Sequence, residues 1–297
     1  FWLDVNSDKP SYKADVYPNI YATEPESTIG IIDKKLVANI KAYQNSAFLN
    51  GNSSLIWRQG LKHDAASVME LSYISEGIFH NKLKEIVNLE KDYVYPLLKS
   101  TDLYHGKFDS KRGVIVTQKK IGEDTSILQQ SAPRLWQYLK NHSDKFDKRK
   151  SSIYKNKPPF SIFGIGDYSF SMYKVAISGL HKQPRFRVIH PINNRPVMLD
   201  DTCYFVSCNS IEEAIIIACA FNNSICLDFI SSITFLDAKR PITKNLLQTI
   251  NFEALLNYMP QEQLVDQSSF EYSRYNPSSG KKESEWLSVL KLLSTIW

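Results

Sequence analysis

The hydrophobic pattern of the chain changes period twice. Over residues 1–49 the apolar residues come in short runs separated by turn formers, which predicts strands. Ile29-Gly30-Ile31-Ile32 and Leu36-Val37-Ala38-Asn39-Ile40 flank Asp33-Lys34-Lys35, the pattern of a hairpin. Gly51-Asn52-Ser53-Ser54 reads as a loop, residues 67–74 alternate like a strand, and residues 113–117 predict a short buried strand. Pro96 interrupts the mixed stretch 87–103. Pro133 suits a first helical turn, and Leu135, Leu139 and Phe146 then mark one helical face. Residues 151–163 form a loop carrying Pro158-Pro159. Short strands are predicted at 162–165, 175–178, 186–190 and 196–199, the last two joined by a hairpin turn at Pro191-Ile192-Asn193-Asn194.

Beyond residue 206 the period becomes helical. Ser210 and Glu213 make a capping box that opens a helix to about Asn222. Further helices are predicted at 225–235 and from Pro241 to about Tyr258. Residues 261–283 are polar and rich in Ser, Gln, Gly and Lys, which reads as a linker or exposed loop, and 284–297 as an amphipathic helix. The expected class is α+β: short twisted sheets and hairpins with a helical C-terminal part. The expected division is a strand-rich lead-in at 1–48, a main domain at 49–260, and a linker with a C-terminal helix at 261–297.

Composition narrows the class. The 297 residues are 43% hydrophobic and 23% charged, which excludes a disordered chain. Apolar runs such as 214–221 fall far short of the ~18 residues of a membrane span, so no membrane partner is expected. The formal charge of +5 is unevenly spread: residues 99–200 hold 19 Lys and Arg against 8 Asp and Glu, the remainder 17 against 23. A basic middle is the footprint of a polyanion binder; the alternative is a solvated lysine-rich surface. Cys203, Cys208, Cys219 and Cys226 lie among apolar neighbours with no metal-binding spacing, which suits free thiols in a reducing, cytoplasmic compartment. The chain begins Phe1-Trp2-Leu3, without Met, and reads as a piece of a longer polypeptide.

Several candidate chemistries compete. Phe163-Gly-Ile-Gly166 has the look of a cofactor loop, but it leads toward another strand rather than a helix, so a tight turn is the better reading. Asp200 or Asp201 with Asp237 and Lys239 could make a Mg²⁺-dependent nuclease. No histidine pair has metal spacing, and nucleophile-elbow and phosphate-loop motifs are absent from the sequence, so neither catalytic nor metal residues are assigned. The remaining signal is the basic, aromatic stretch from Lys148 to Lys157, where Arg149, Lys150, Ser151, Ser152, Tyr154 and Lys155 are expected to contact phosphate. Lys99, Ser100 and Lys174 come next, with Arg58, Lys62 and His63 as a second contact loop. A basic face that docks an acidic protein is a third reading.

Trp57-Arg-Gln-Gly-Leu-Lys-His-Asp64 followed by Val68-Met-Glu-Leu71 resembles a block of the DNA adenine-N6 methyltransferases of restriction–modification systems. Tyr93-Val-Tyr-Pro-Leu-Leu-Lys-Ser100, Ile121-Gly-Glu-Asp-Thr125, Arg149-Lys-Ser-Ser-Ile-Tyr154, Phe160-Ser-Ile-Phe-Gly-Ile-Gly-Asp-Tyr-Ser-Phe170, Lys174-Val-Ala-Ile-Ser-Gly179, Met198-Leu-Asp-Asp-Thr-Cys-Tyr204 and Asp237-Ala-Lys-Arg-Pro-Ile242 agree, in order, over about residues 16 to 245. The resemblance is to the target-recognition region that follows the catalytic core. It implies sequence-specific binding of double-stranded DNA, an adenine flipped toward a catalytic domain present in cis or in trans, and S-adenosylmethionine as cofactor of that parent enzyme. The family's catalytic tetrapeptide N/D-P-P-Y/F is missing: Lys157-Pro-Pro-Phe160 has a lysine, which cannot accept a hydrogen bond from the adenine amine. No cofactor is therefore expected in this chain, and Phe1 to about Ile20 reads as a remnant of the catalytic domain.

Overall fold

The computed structural model describes residues 13–108, 111–235, 237–277 and 280–296. Its strands, in chain order, are β1 (Lys13–Val16), β2 (Ser27–Ile32), β3 (Lys35–Val37), β4 (Arg58–Gln59), β5 (Glu70–Ser75), β6 (Ile78–Asn81), β7 (Ile86–Asn88), β8 (Val94–Leu98), β9 (Arg112–Ile115), β10 (Tyr173–Ser178), β11 (Arg187–Ile189), β12 (Met198–Leu199) and β13 (Cys203–Cys208). The class is α+β, as the sequence predicts. The chain divides into two compact units: residues 1–56, 179–186 and 215–297, and residues 57–178 with 187–214. These limits differ from the expected boundaries at 48 and 260.

The first unit holds the antiparallel sheet β1–β2–β3. Asp33 and Lys34 take positive φ at the β2–β3 turn, making the hairpin read from sequence. Residues 40–49 are a correction: Ile40–Ser46 is a helix capped by the Asn39 side chain, followed by a 3-10 turn, not a strand. Residues 261–283 are a second correction, since Gln261–Tyr275 is a four-turn helix that buries Leu264, Val265 and Ser268. The one long helix expected after Pro241 is two, Lys244–Gln248 and Phe252–Tyr258. The expected remnant at residues 1–20 lies largely outside the described residues, which begin at 13.

The second unit carries two sheets. One has the order β12-β8-β9-β5-β6-β7, the other β11-β10-β13-β4. The larger packs its inner face on the helix Pro133–Asn141, whose Leu135 and Leu139 are fully buried with Val114, Ile115, Phe79 and Met69. Pro133 occupies the first helical turn, as expected. The strands predicted at 186–190 and 196–199 do not form a hairpin. β11 pairs with β10, whereas β12 pairs with β8 in the other sheet, and only an isolated bridge joins Ile192 to Arg195. The expected strand at 162–165 is likewise reduced to one bridge, Lys62 to Phe163.

A glycine contact fixes the centre of this unit. The Gly60 N–H donates to the Cys203 carbonyl at 3.0 Å and the Leu61 N–H to Leu199 at 2.8 Å. A Cβ on Gly60 would stand 2.1 Å from the Asp200 carbonyl oxygen, and one on Gly164, at φ +68°, 2.4 Å from the Gly60 oxygen. Three backbone segments thus meet where only glycine fits.

Candidate nucleic-acid interface

The basic loop after Phe146 is shaped by one arginine. The Arg149 guanidinium is half-buried and donates to the carbonyls of Ser161 (2.7 Å), Phe146 (3.1 Å) and His63 (3.5 Å). It lies 3.7 Å from the centroid of Tyr154, whose ring meets Phe163 edge-on at 5.4 Å. Arg149 thereby ties the loop to His63 and Ser161, and Tyr154 ties it to Phe163, which bridges Lys62. Burial and the nearby Asp64 carboxylate push the Tyr154 phenol well above its ordinary range, so this ring stays neutral. With Arg149 and Tyr154 turned inward, Lys150, Ser152, Lys155 and Lys157 face solvent, and Ser151 is part-exposed.

The second expected contact loop is only partly on the surface. The Arg58 guanidinium lies 4.6 Å over the Tyr168 ring and has no hydrogen-bond or ion-pair partner among the described residues. Lys62 is one-third exposed and pairs with Asp64 at 3.4 Å. His63 is buried; its Nδ1 accepts from the Ala65 N–H at 3.2 Å and its Nε2 stands 3.6 Å from Glu70.

Glu70 is the residue that sequence reading missed. It is 4% exposed, and Lys99 and Lys82 each reach it at 2.6 Å. Burial alone would raise its pKa; the hydrogen bonds from His63, Lys82 and Lys99 outweigh that and hold the carboxyl well below the usual range. Alternation around Met69 and Leu71 would point Glu70 to solvent, so the sequence carried no signal for its burial. A cleft of about 360 Å³ opens beside it, lined by Lys62, Asp64, Lys99, Asp200 and Asp201 among others. Lys99 therefore has an internal carboxylate to balance before it meets any ligand.

Two expected contacts belong to the interior. Ser100 is 2% exposed and donates to the Thr202 carbonyl at 2.8 Å. Lys174, on β10, is 1% exposed and donates to the Ser171 carbonyl. Burial pushes its pKa down to about 7. The structure removes both from the surface set, because a core side chain cannot reach a phosphate.

Of the nuclease candidates, Asp200 is engaged within its own turn: it accepts from Thr202 N–H (3.1 Å), Thr202 Oγ1 (2.5 Å) and Cys203 Sγ (3.3 Å). Among the described residues no group of three or more His, Cys, Asp or Glu is placed to hold a metal ion. No single helix there is long and apolar enough to cross a membrane.

No protein-family model matches the chain. It is similar to a known methyltransferase. Over 247 residues the chain is 43% identical to the Type II methyltransferase M.NspV of Nostoc sp.. The alignment covers 82% of this chain and 51% of M.NspV, so the chain spans about half the length of the curated relative it matches. Among solved structures, the Type IIL restriction–modification enzyme MmeI in complex with DNA gives a TM-score of 0.41 at 10% identity, over 82% of this chain and 32% of MmeI.

Proposed function

We propose that this chain is the target-recognition part of a DNA adenine-N6 methyltransferase, binding duplex DNA and offering an adenine to a catalytic domain in cis or in trans. The observation that carries the reading is the braced cationic loop: Arg149 and Tyr154 hold it from inside while Lys150, Ser152, Lys155 and Lys157 stand in solvent. A pre-shaped row of lysines neutralises phosphates without first ordering the loop. Arg58, held against Tyr168 with no internal acceptor, adds a planar donor fork suited to phosphate or guanine. The 43% identity to a Type II methyltransferase supplies the enzymatic setting.

S-adenosylmethionine does not fit the residues present. Gly164 and Gly166 are required by contacts within the protein, since added Cβ atoms would meet the Gly60 oxygen at 2.4 Å and the Tyr168 ring at 2.5 Å. The target base would lack its partner as well, because Lys157 stands where the family's acceptor for the adenine amine belongs. In this reading the cofactor is held by the catalytic domain, and this chain contributes specificity alone.

The test is selection from random duplex DNA at two salt concentrations, with the triple variant Lys150→Ala/Lys155→Ala/Lys157→Ala beside the native chain. The native chain should enrich one short motif. The variant should bind every sequence more weakly, with a log–log salt slope shallower by roughly 2–3, as expected for three lost phosphate contacts. Absence of duplex binding at low salt would overturn the proposal.

A further inference from the structure

Asn193 and Asn194 take consecutive positive φ angles of 51° and 56°. The Ile192 N–H donates to the Arg195 carbonyl and the Arg195 N–H to the Ile192 carbonyl, each at 3.0 Å. This is the pattern of a two-residue hairpin turn, in which asparagine is favoured because its short side chain tolerates the left-handed region. Backbone conformation thus accounts for the residue type, but it gives the amides nothing to do. Both residues are exposed, and among the described residues neither side chain has a hydrogen-bond partner. Asn39, Asn223 and Asn251, by contrast, use their side-chain oxygens to cap helices.

The tip is exposed yet firmly mounted. The Arg195 guanidinium lies 4.4 Å over the Tyr95 ring and donates to the Asp92 carbonyl at 2.8 Å. Tyr95 in turn meets Phe170 edge-on at 5.5 Å. The chain leaving the turn enters β12, which is buried and paired with β8. Beside the tip a cleft of about 570 Å³ is lined by Asn194, Arg195, Tyr95, Phe170, Lys119 and Asp167, with the Lys119 side chain exposed. Two free amides on a clamped turn, flanked by an exposed lysine, make an arrangement that reads rather than merely attracts.

We infer that the Asn193-Asn194 turn is a base-reading element for adenine, entering the major groove while Lys119 meets the adjacent backbone. The inference rests on the DNA-binding function proposed above. An asparagine amide donates to adenine N7 and accepts from the N6 amine, a pairing that no other base edge in that groove satisfies. A two-residue turn is narrow enough for the ~12 Å major groove.

The test compares the native chain with Asn193→Gly/Asn194→Gly and with Asn194→Asp, by duplex selection and thermal melting. Glycine accepts the same positive φ and removes only the amides. Aspartate keeps the shape but cannot donate to N7. The native motif should contain an adenine whose preference disappears in the glycine variant, with target affinity reduced about 10- to 100-fold. Binding to random sequence, its salt slope and the melting temperature should stay near native values. Asn194→Asp should lose the same preference. An unchanged motif and affinity in the glycine variant would overturn this inference while leaving the DNA-binding reading intact. A native chain that binds no duplex at all would remove that reading, and this inference with it.

Discussion

Replacing Lys174 by methionine should stabilise the protein, and the gain should depend on pH in a defined way. The ammonium is 1% exposed, its hydrogen bond goes to the Ser171 carbonyl, and the pocket around it, lined by Leu61, Val197, Met198, Leu199 and Phe205 among others, has no room for a water molecule. Burial lowers its pKa to about 7, against an ordinary value near 10.4. Roughly three units at about 1.4 kcal/mol each make the buried charge unfavourable by ~4 kcal/mol. Methionine has a similar reach and no charge; it gives up one hydrogen bond worth ~1 kcal/mol and leaves the Ser171 carbonyl short of a donor. The net gain near pH 7 should be about 2 kcal/mol.

The sign of the pH effect follows from linkage. Above about pH 7 the folded chain has lost the Lys174 proton and the unfolded chain keeps it. Native stability therefore rises by about 1.4 kcal/mol per pH unit from this group alone until roughly pH 10. The buried thiols oppose this: burial pushes the Cys203, Cys208 and Cys226 thiols up, so their contribution falls as pH passes ordinary thiol values. Cys203 and Cys226 are common to both proteins and cancel in the difference; Cys208 feels the Lys174 charge, but burial is the larger influence on it and keeps its thiol protonated in both. Urea unfolding of native and Lys174→Met chains at about pH 7, 8 and 9 measures that difference directly. The methionine advantage should shrink by ~2 kcal/mol across the series. A methionine variant less stable at pH 7, or an advantage that is flat with pH, would refute the reasoning.

Two further perturbations probe the framework around the interface. Glu70→Gln leaves Lys82 and Lys99 facing a neutral amide, and should destabilise by about 3 kcal/mol at neutral pH. Because the native carboxyl is held below its usual range, the loss should narrow as pH falls below about 4, where the unfolded carboxyl is protonated; equal losses at both pH values would contradict the assignment. Gly60→Ala places a Cβ against the Asp200 backbone oxygen and should cost more than about 3 kcal/mol by thermal or urea unfolding, whereas Gly122→Ala, with no atom within 4 Å of the added Cβ but a φ of +83°, should cost only ~1 kcal/mol.

Elements governed by local rules were legible in the sequence. Pro133 opens its helix, Asp33-Lys34 turns its hairpin, and Ser210 with Glu213 caps the helix Ile211–Phe221, the Ser210 Oγ accepting from the Glu213 N–H at 3.1 Å. Elements that depend on distant partners were not. Pro96 read as a break, yet it lies within β8, because β12 adjoins that strand only at Leu97 and Leu98 and asks for no N–H from residue 96. The helix Gln261–Tyr275 hid behind a polar composition, burying only a narrow stripe. At the candidate interface, sequence found the basic loop but gave no direction to its side chains. Lys99 and His63 turn to Glu70, and no spacing rule announces a contact across 29 residues.

The side-chain directions follow a chemical division. Arg149 and Arg187 spend their forks on backbone carbonyls, Arg187 on Leu103 and Tyr104 at 3.1 and 3.2 Å, and Arg195 does the same while lying on Tyr95. A planar, weakly hydrated guanidinium loses less on burial than an ammonium, so it serves as an internal brace. Lys150, Lys155 and Lys157 stay in solvent, where strongly hydrated point charges are at home. Lys174, the ammonium that is buried, is the group whose pKa burial drives toward neutrality. The basic middle is thus two populations, and net charge counts both alike. Loss of an exposed lysine changes how tightly a polyanion is held and how steeply salt weakens it, whereas loss of a bracing arginine changes where the loop stands.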